Sequence, residues 1–491
     1  MRKRFLPPIL AFFLLVTLLS VVFIKKEEGK TNFGITSAAP DNRATVQPNI
    51  LFITVDDMNG WGLMKHYPLA KTPYLDELRG QSYNFTQNIC ASPVCVPSRA
   101  AFFSGMYPHH TGAYYNGANP WKESSILART ETMPECFKRN GYETFGRGKI
   151  FHANIGDARE EAMFDNRPIF KGGFGPFAEK EDWVGSGSFE SVKAWEGPDS
   201  DFPDVKNAEA VIDFLQKSHD KPFFCYVGYW RPHTPYTAPK RFFDLFDEKD
   251  IVPTAGYRAD DLDDVPVQGR ELVDSLWRFG GRESLEGAHK VFRRMMHGYL
   301  ATTAFADWSV GRVIEALDKT DFAKNTIVIV ASDNGYHMGE KERWQKGTLW
   351  QLSAYAPLLI RLPNGQSYEC PQTTNLIDLY PTLVELCGLN PPKHILDGKS
   401  LTPILKNPAM KWSPSVMTYG EKYSSVTDGR YRYIRNPDGT EELYDHQKDP
   451  HEWENLAANA KMKSVKTRLG KEIPNTWVKS LGGGSEKKGG Y

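Results

Sequence analysis

The chain is poor in cysteine and carries no excess charge of either sign. Six cysteines in 491 residues are too few for a disulfide-built scaffold, so the fold must rest on a packed core. The 60 Lys and Arg residues balance the 60 Asp and Glu residues. A nucleic-acid partner is not expected, because phosphate binding draws on a strong basic excess. No internal repeat is present, and the Gly- and Lys-rich tail after residue 482 is expected to be flexible. A hydrophobic content of 40% with 13% aromatics points to a well-packed globule rather than disorder. The length exceeds one ordinary core and suits an α/β body with a smaller second domain.

Charge is absent where it matters most at the N-terminus. Arg2, Lys3 and Arg4 precede Phe5–Ile24, 20 residues without a charge, and Lys25 and Lys26 close the run. A basic start followed by an apolar run implies export. The run is about long enough to span a bilayer, no small-x-small cleavage site follows at once, and no lipobox cysteine is present. The expectation is an exported body, with an uncleaved membrane anchor favoured over a cleaved signal peptide. Residues 25–47 read as a polar linker.

Three short apolar runs end in polar residues: Ile50–Val55, Pro222–Trp230 and Asn325–Gly335. Helical patterns lie between them, at 208–217 and 299–317. Strands alternating with helices predict a mostly parallel sheet covered on both faces, an α/β fold. Sites in such sheets form where strands end at their carboxyl side. Thr72-Pro73 reads as the cap and first turn of a short helix. Residues 153–205 and 245–285 read as long surface loops. Alternation and turn dipeptides over 426–450 predict a small antiparallel sheet.

The strand ends hold the chemistry. Asp56-Asp57 closes the first run and Asp333-Asn334-Gly335 the third. Adjacent carboxylates repel unless something positive lies between them. Four hard oxygens from Asp56, Asp57, Asp333 and Asn334 suit Ca²⁺ or Mg²⁺, whereas zinc draws on histidine or thiolate. Cys90 and Cys95 lack CxxC spacing. A disulfide between them, a catalytic thiol or a modified cysteine remain open.

Cys95-Val96-Pro97-Ser98-Arg99, followed by Ser104-Gly105, resembles the signature of the type I sulfatases. In that family the Cys of C-x-P-S-R is oxidised to Cα-formylglycine. The resemblance runs from Asn49 to about Leu456 and is closest to the iduronate-2-sulfatase-like branch. It implies an alkaline-phosphatase-like α/β sandwich with a mostly parallel sheet and a small C-terminal α+β domain with an antiparallel sheet. The implied division is 1–47 for the export segment and linker, 48–380 for the catalytic domain, 381–482 for the C-terminal subdomain and 483–491 for the tail.

The resemblance also assigns roles. Asp56, Asp57, residue 95, Asp333 and Asn334 would hold one Ca²⁺. Arg99 would fix the hydrated aldehyde at position 95. Lys149 and Lys346 would bind sulfate oxygens, with Lys341 the alternative to Lys346. His233, between prolines, would protonate the leaving alcohol, and His152 would assist at residue 95. Family members more often place this lysine and histidine two apart, on one face of a strand. Here they are three apart, which on a strand means opposite faces, so a turn after Phe151 is required. The implied reaction is attack on sulfur by one hydroxyl of the hydrated aldehyde, then expulsion of sulfate by the second. The implied substrate is a sulfated carbohydrate, a 2-O-sulfated uronic acid or a related polysaccharide unit, and the implied partner is a formylglycine-generating maturation enzyme. Trp61, Trp121, Trp230, Trp344 and Trp350 flank the motifs, and two of them are expected to stack on sugar. A phosphate or phosphonate monoester hydrolase, or a silent carbohydrate-binding protein, are the competing readings.

Overall fold

The apolar run after Pro48 forms strand β1 (Asn49–Asp56), buried at all eight positions. The computed structural model describes residues 47–60, 67–152, 155–166, 170–184, 188–271 and 285–482. β1 lies near the middle of a seven-stranded sheet. The others are β2 (Tyr83–Phe85), β3 (Glu143–Gly148), β4 (Phe223–Pro232), β5 (Thr326–Ser332), β6 (Leu358–Arg361) and β7 (Tyr368–Cys370). The spatial order is β7-β2-β6-β5-β1-β4-β3. β1 runs parallel to β4 and β5, and β3 parallel to β4. β6 is antiparallel to both its neighbours. The three runs singled out in the sequence are thus the three adjacent central strands. Strands buried on both faces read as continuous apolar runs, which is why they were legible.

Successive residues of a strand face opposite ways, and β1 divides its side chains accordingly. Ile50 and Phe52 join one core with Phe102 and Phe103 of helix α1 (Cys95–Ser104). Leu51, Ile53 and Val55 join the other with Val211 and Phe214 of α2 (Pro203–Leu215) and Val310 and Val313 of α3 (Leu285–Asp318). The sheet is sandwiched between helices. Truncating a ring such as Phe103 would cost about 3–5 kcal/mol.

Both long helices begin earlier than their apolar periodicity, because their first turns carry too many polar residues to continue the pattern. Thr72 makes no side-chain cap on the helix Pro73–Arg79. Asp307 of α3 accepts from the backbone N–H groups of Tyr74 and Leu75 instead, at 3.2 and 2.8 Å. The run Phe5–Ile24 lies outside the described residues, among which no helix is long and apolar enough to cross a membrane. All six cysteines are free and buried.

The expected C-terminal antiparallel sheet is present as β8 (Ser415–Thr418), β9 (Ser424–Thr427), β10 (Tyr431–Arg435) and β11 (Glu441–Asp445), in that order. β8 was not evident in the sequence. Val426, Tyr433, Leu443 and Leu469 form a small core beneath it, while Met417, Ile434 and Tyr444 join the core on the α1 face of the main sheet.

Candidate active site

Two adjacent residues of a regular strand cannot point into one site, yet Asp56 and Asp57 do. The pairing of β1 with β4 slips between Val55 and Asp56, and Asp57 takes a left-handed φ of 62°. This end of the strand re-aims both carboxylates, as bulges do at site-bearing strand tips. The tip of β5 sits alongside. The Asp57 N–H donates to Asp333 Oδ1 at 3.3 Å, and Asn334 Nδ2 donates to Asp57 Oδ1 at 2.8 Å.

Helix α1 aims its first residue at these tips. Cys95 opens the helix, and the Val96 N–H is held by Asn116 Oδ1 at 3.0 Å. Cys95 Sγ lies 3.4 Å from Asp56 Oδ1 and 3.9 Å from Asp57 Oδ1. Ligand atoms of Asp56, Asp57, Cys95 and Asp333 all fall within 4.8 Å of one another, in fully buried surroundings. Arg99, one turn on, shares the Cys95 face. Its Nε donates to Asp333 Oδ2 at 2.8 Å, and its Nη1 to the carbonyls of Lys149 and Ile150 at 2.6 and 2.9 Å.

Two ammonium groups close the cluster. Lys149 pairs with Asp56. Lys346 reaches Asp57 Oδ1 and Oδ2 at 2.5 and 2.6 Å and Cys95 Sγ at 3.1 Å. Lys149 is placed by a close backbone approach. A Cβ at Gly228 of β4 would overlap the Lys149 carbonyl, and Gly148 before it has a φ of 70°. Lys341 pairs with Asp261 at 2.7 Å instead, so Lys346 is the lysine at the site.

The spacing of Lys149 and His152 is resolved by the backbone. β3 ends at Gly148, and residues 149–152 form a bend, with His152 at a φ of 58°. Neither residue is on the strand, so the opposite-face rule does not apply. Burial, then Lys149 and Arg99, hold His152 well below the usual imidazole range. His233 Nε2 lies 3.6 Å from Asp57 Oδ2, and its Nδ1 donates to the Thr234 carbonyl at 2.5 Å. That bond keeps the proton on Nδ1 and leaves Nε2 toward the site. Burial, then Lys346 and Lys149, push His233 well below its ordinary value. Burial, then Asp56, push the Cys95 thiol well up.

Whether a divalent cation suits this donor set is tested by atoms left over. Asn334 Oδ1 is buried without a hydrogen-bond partner, an acceptor to which a cation is a fitting neighbour. It stands beside three carboxylates, the hard-oxygen set that Ca²⁺ takes. Arg99 Nη2 and His152 Nδ1 are likewise buried without a hydrogen bond, Arg99 Nη2 lying 3.9 Å from Asp56 Oδ1.

The sequence assigns several neighbours no role, Ser98 among them although it lies in the signature. Tyr226 of β4 donates to or accepts from Thr54 Oγ1 at 2.6 Å and lies 3.3 Å from Arg99 Nη1. Ser98 Oγ donates to the Asp333 carbonyl. Asp204, in the first turn of α2, accepts from the N–H groups of Trp230 and Arg231 at 2.9 and 3.0 Å. Of the five tryptophans, Trp61 lies outside the described residues. Trp121 and Trp350 are core residues, and Trp344 is buried with its Nε1 on Tyr236. Trp230 alone of the described four borders the site, its ring 5.4 Å from Lys149 Nζ. Phe174, which no motif marked, lies equally near Lys149 and 4.6 Å from the His233 ring.

The family model described as Sulfatase matches residues 48–389, and that of the N-sulphoglucosamine sulphohydrolase C-terminal region matches residues 339–479. A sulfatase of Formosa agariphila is 36% identical, covering 90% of each chain. Human iduronate 2-sulfatase is 26% identical, covering 72% of this chain and 71% of its own. Among solved structures, the phosphonate monoester hydrolase of Agrobacterium radiobacter superposes with a TM-score of 0.69 at 22% identity, over 87% of this chain and 95% of that one, a likeness of fold. With the strand-tip site, the alkaline-phosphatase-like sandwich and the match over most of its length, the chain belongs to the sulfatases, a family of sulfuric ester hydrolases.

Proposed function

We propose that the protein is an exported sulfatase that removes sulfate from a sulfated sugar, a uronate 2-O-sulfate or a related polysaccharide unit, using formylglycine made from Cys95. The observation that carries this reading is the position of Cys95. It is the first residue of a buried helix, between three carboxylates and within 3.1 Å of the Lys346 ammonium. A disulfide would not need those neighbours, and the three carboxylates oppose the thiolate that a free nucleophile requires.

Asp56, Asp57, Asp333 and Asn334 would hold Ca²⁺ together with residue 95. When bound there, Ca²⁺ supplies a fixed double positive charge against an anionic ester. The converted residue would supply two hydroxyls on one carbon, one to attack and one to allow release. Arg99, locked by Asp333 and two carbonyls, is aligned to hold that residue through its open Nη2. Lys149 and Lys346 act as point charges on the sulfate oxygens, each swinging from the carboxylate it now touches. His233 presents Nε2 on the side from which the alcohol departs. Burial first and the two lysines next depress its basicity; the arriving anion offsets the lysines, which favours the protonated ring that must deliver the proton. His152 Nδ1, without a partner, is placed to accept a proton from residue 95. Trp230 and Phe174 form an apolar edge beside Lys149, suited to the C–H face of a sugar ring.

The test is mass spectrometry of the tryptic peptide containing residue 95, with turnover on a panel of sulfate, phosphate and phosphonate esters. Conversion of the thiol lowers the peptide mass, and sulfated uronosides turn over fastest. An unmodified cysteine in a fully active preparation, or a preference for phosphonate, would overturn the reading.

A further inference from the structure

The loop that carries Lys346 is strained. Five of the nine residues from Gly339 to Gly347 have left-handed φ values: Gly339 at 108°, Lys341 at 54°, Glu342 at 48°, Gln345 at 80° and Gly347 at 88°. Three of these carry a side chain, which raises the energy of that conformation. Such backbone persists only where its surroundings over-determine it.

The surroundings converge on one residue of the C-terminal region. Glu452, itself at a φ of 61°, accepts from Lys341 Nζ through its carbonyl. Its carboxylate accepts from the Gln351 N–H at 2.8 Å. Lys341 and Gln351 lie five residues before and five after Lys346. Glu452 therefore grips both flanks of the segment. Its carboxylate is anchored in turn by His446 at 2.9 Å and by Arg432 of β10 at 3.2 Å. Asp261 completes the hold on Lys341 at 2.7 Å. Within the loop, Arg343 Nε closes onto the Lys346 carbonyl at 3.0 Å. The Gly347 N–H docks on the Pro93 carbonyl at 3.1 Å, two residues from Cys95.

We propose that Glu452 is a positioning residue for the reaction, holding both ends of the strained loop so that the Lys346 ammonium stays between Asp57 and residue 95. The C-terminal sheet then has a part in turnover without touching substrate. This inference rests on the sulfate-binding role of Lys346 given above.

The test is a double-mutant cycle on the full-length, converted enzyme, with 4-nitrophenyl sulfate as substrate and inorganic sulfate as competitive inhibitor. Glu452→Gln, which removes the charge that His446 and Arg432 anchor and so loosens the side-chain hold on Gln351, is expected to lower kcat/KM by about tenfold to a hundredfold, the scale of a small misplacement of a catalytic group, and to weaken inhibition by sulfate. In the Lys346→Ala background the same change is expected to cost nothing further. Lys341→Met, which releases the flank that Glu452 holds through its backbone carbonyl and Glu452→Gln leaves in place, should reproduce the pattern and serves if Glu452→Gln folds poorly. Equal losses in both backgrounds, or a Glu452→Gln enzyme with unaltered kcat/KM and sulfate inhibition, would overturn the inference. Should Lys346→Ala alone leave turnover intact, it is the role of Lys346 that fails, and the positioning inference fails with it.

Discussion

Two buried clusters of charge stand close together in this molecule, and they are built differently. At the strand tips, three carboxylates face Arg99, Lys149 and Lys346, yet Asn334 Oδ1 and His152 Nδ1 have no hydrogen-bond partner and Arg99 Nη2 meets only Asp56 Oδ1, at 3.9 Å. Around Glu452, the charged groups have close partners: Lys341 meets Asp261 at 2.7 Å, and the Glu452 carboxylate meets the Gln351 N–H at 2.8 Å, His446 at 2.9 Å and Arg432 at 3.2 Å, although Arg432 Nε makes no hydrogen bond. Buried polar atoms left open cost free energy unless a ligand meets them. The first cluster is arranged to receive an anion and a cation. The second is arranged to hold still.

The comparison breaks most sharply at residue 95. Cys95→Ala is expected to reduce turnover by about 10⁴-fold or more, as loss of a nucleophile does, with a melting temperature near that of the parent. A large loss of melting temperature would make this a structural position. Calcium removal comes next. Chelation should lower activity by about 10³-fold and Asp333→Asn should reproduce it with a measured fall in bound calcium. Full activity in a calcium-free preparation would refute the assignment of the donor set. Lys346→Ala is expected to cost about 10²–10³-fold in kcat, the scale of one lost donor to a transition-state oxyanion.

The smallest effect belongs to the clamp and is read as stability against pH. Burial works against the Glu452 carboxylate, but His446 and Arg432 prevail and lower it from 4.5 to about 2. A depressed carboxylate contributes stability above its unfolded value and loses it as pH falls toward its folded value. The contribution, about 3 kcal/mol at neutral pH, should be steady above about pH 5 and fade toward pH 2. The difference in melting temperature between the parent and Glu452→Gln is the measurement. A difference that persists unchanged at pH 2 would show the pair does not supply it.

Much of the site could be read in advance because its residues follow apolar strands. Asp56-Asp57 and Asp333-Asn334 are visible since β1 and β5 are buried on both faces and stop abruptly at polar residues. Cys95 and Arg99 are visible through the resemblance of Cys95-Val96-Pro97-Ser98-Arg99 to the sulfatase signature, not through any period. His152 was harder, for its position depends on a bend and a left-handed backbone that no period reveals. Tyr226 and Asp204 gave no sign. A buried tyrosine in a strand and an acid in a helix's first turn are each ordinary until a distant strand end comes to rest on them. Phe174 sits in a segment without pattern, and only the fold brings it to Lys149.

By itself, then, the amino-acid order determined the central parallel strands, a helix after Pro97, the hard-oxygen donors and the C-terminal hairpins, since each follows from periodicity or from contacts between near neighbours in the chain. The tertiary structure decided that Asp56 and Asp57 converge, that Lys346 rather than Lys341 meets Cys95, and that Glu452 grips the loop between them. Those outcomes depend on a strand slip, on left-handed backbone and on groups more than a hundred residues apart, whose energies exist only once the chain has closed on itself.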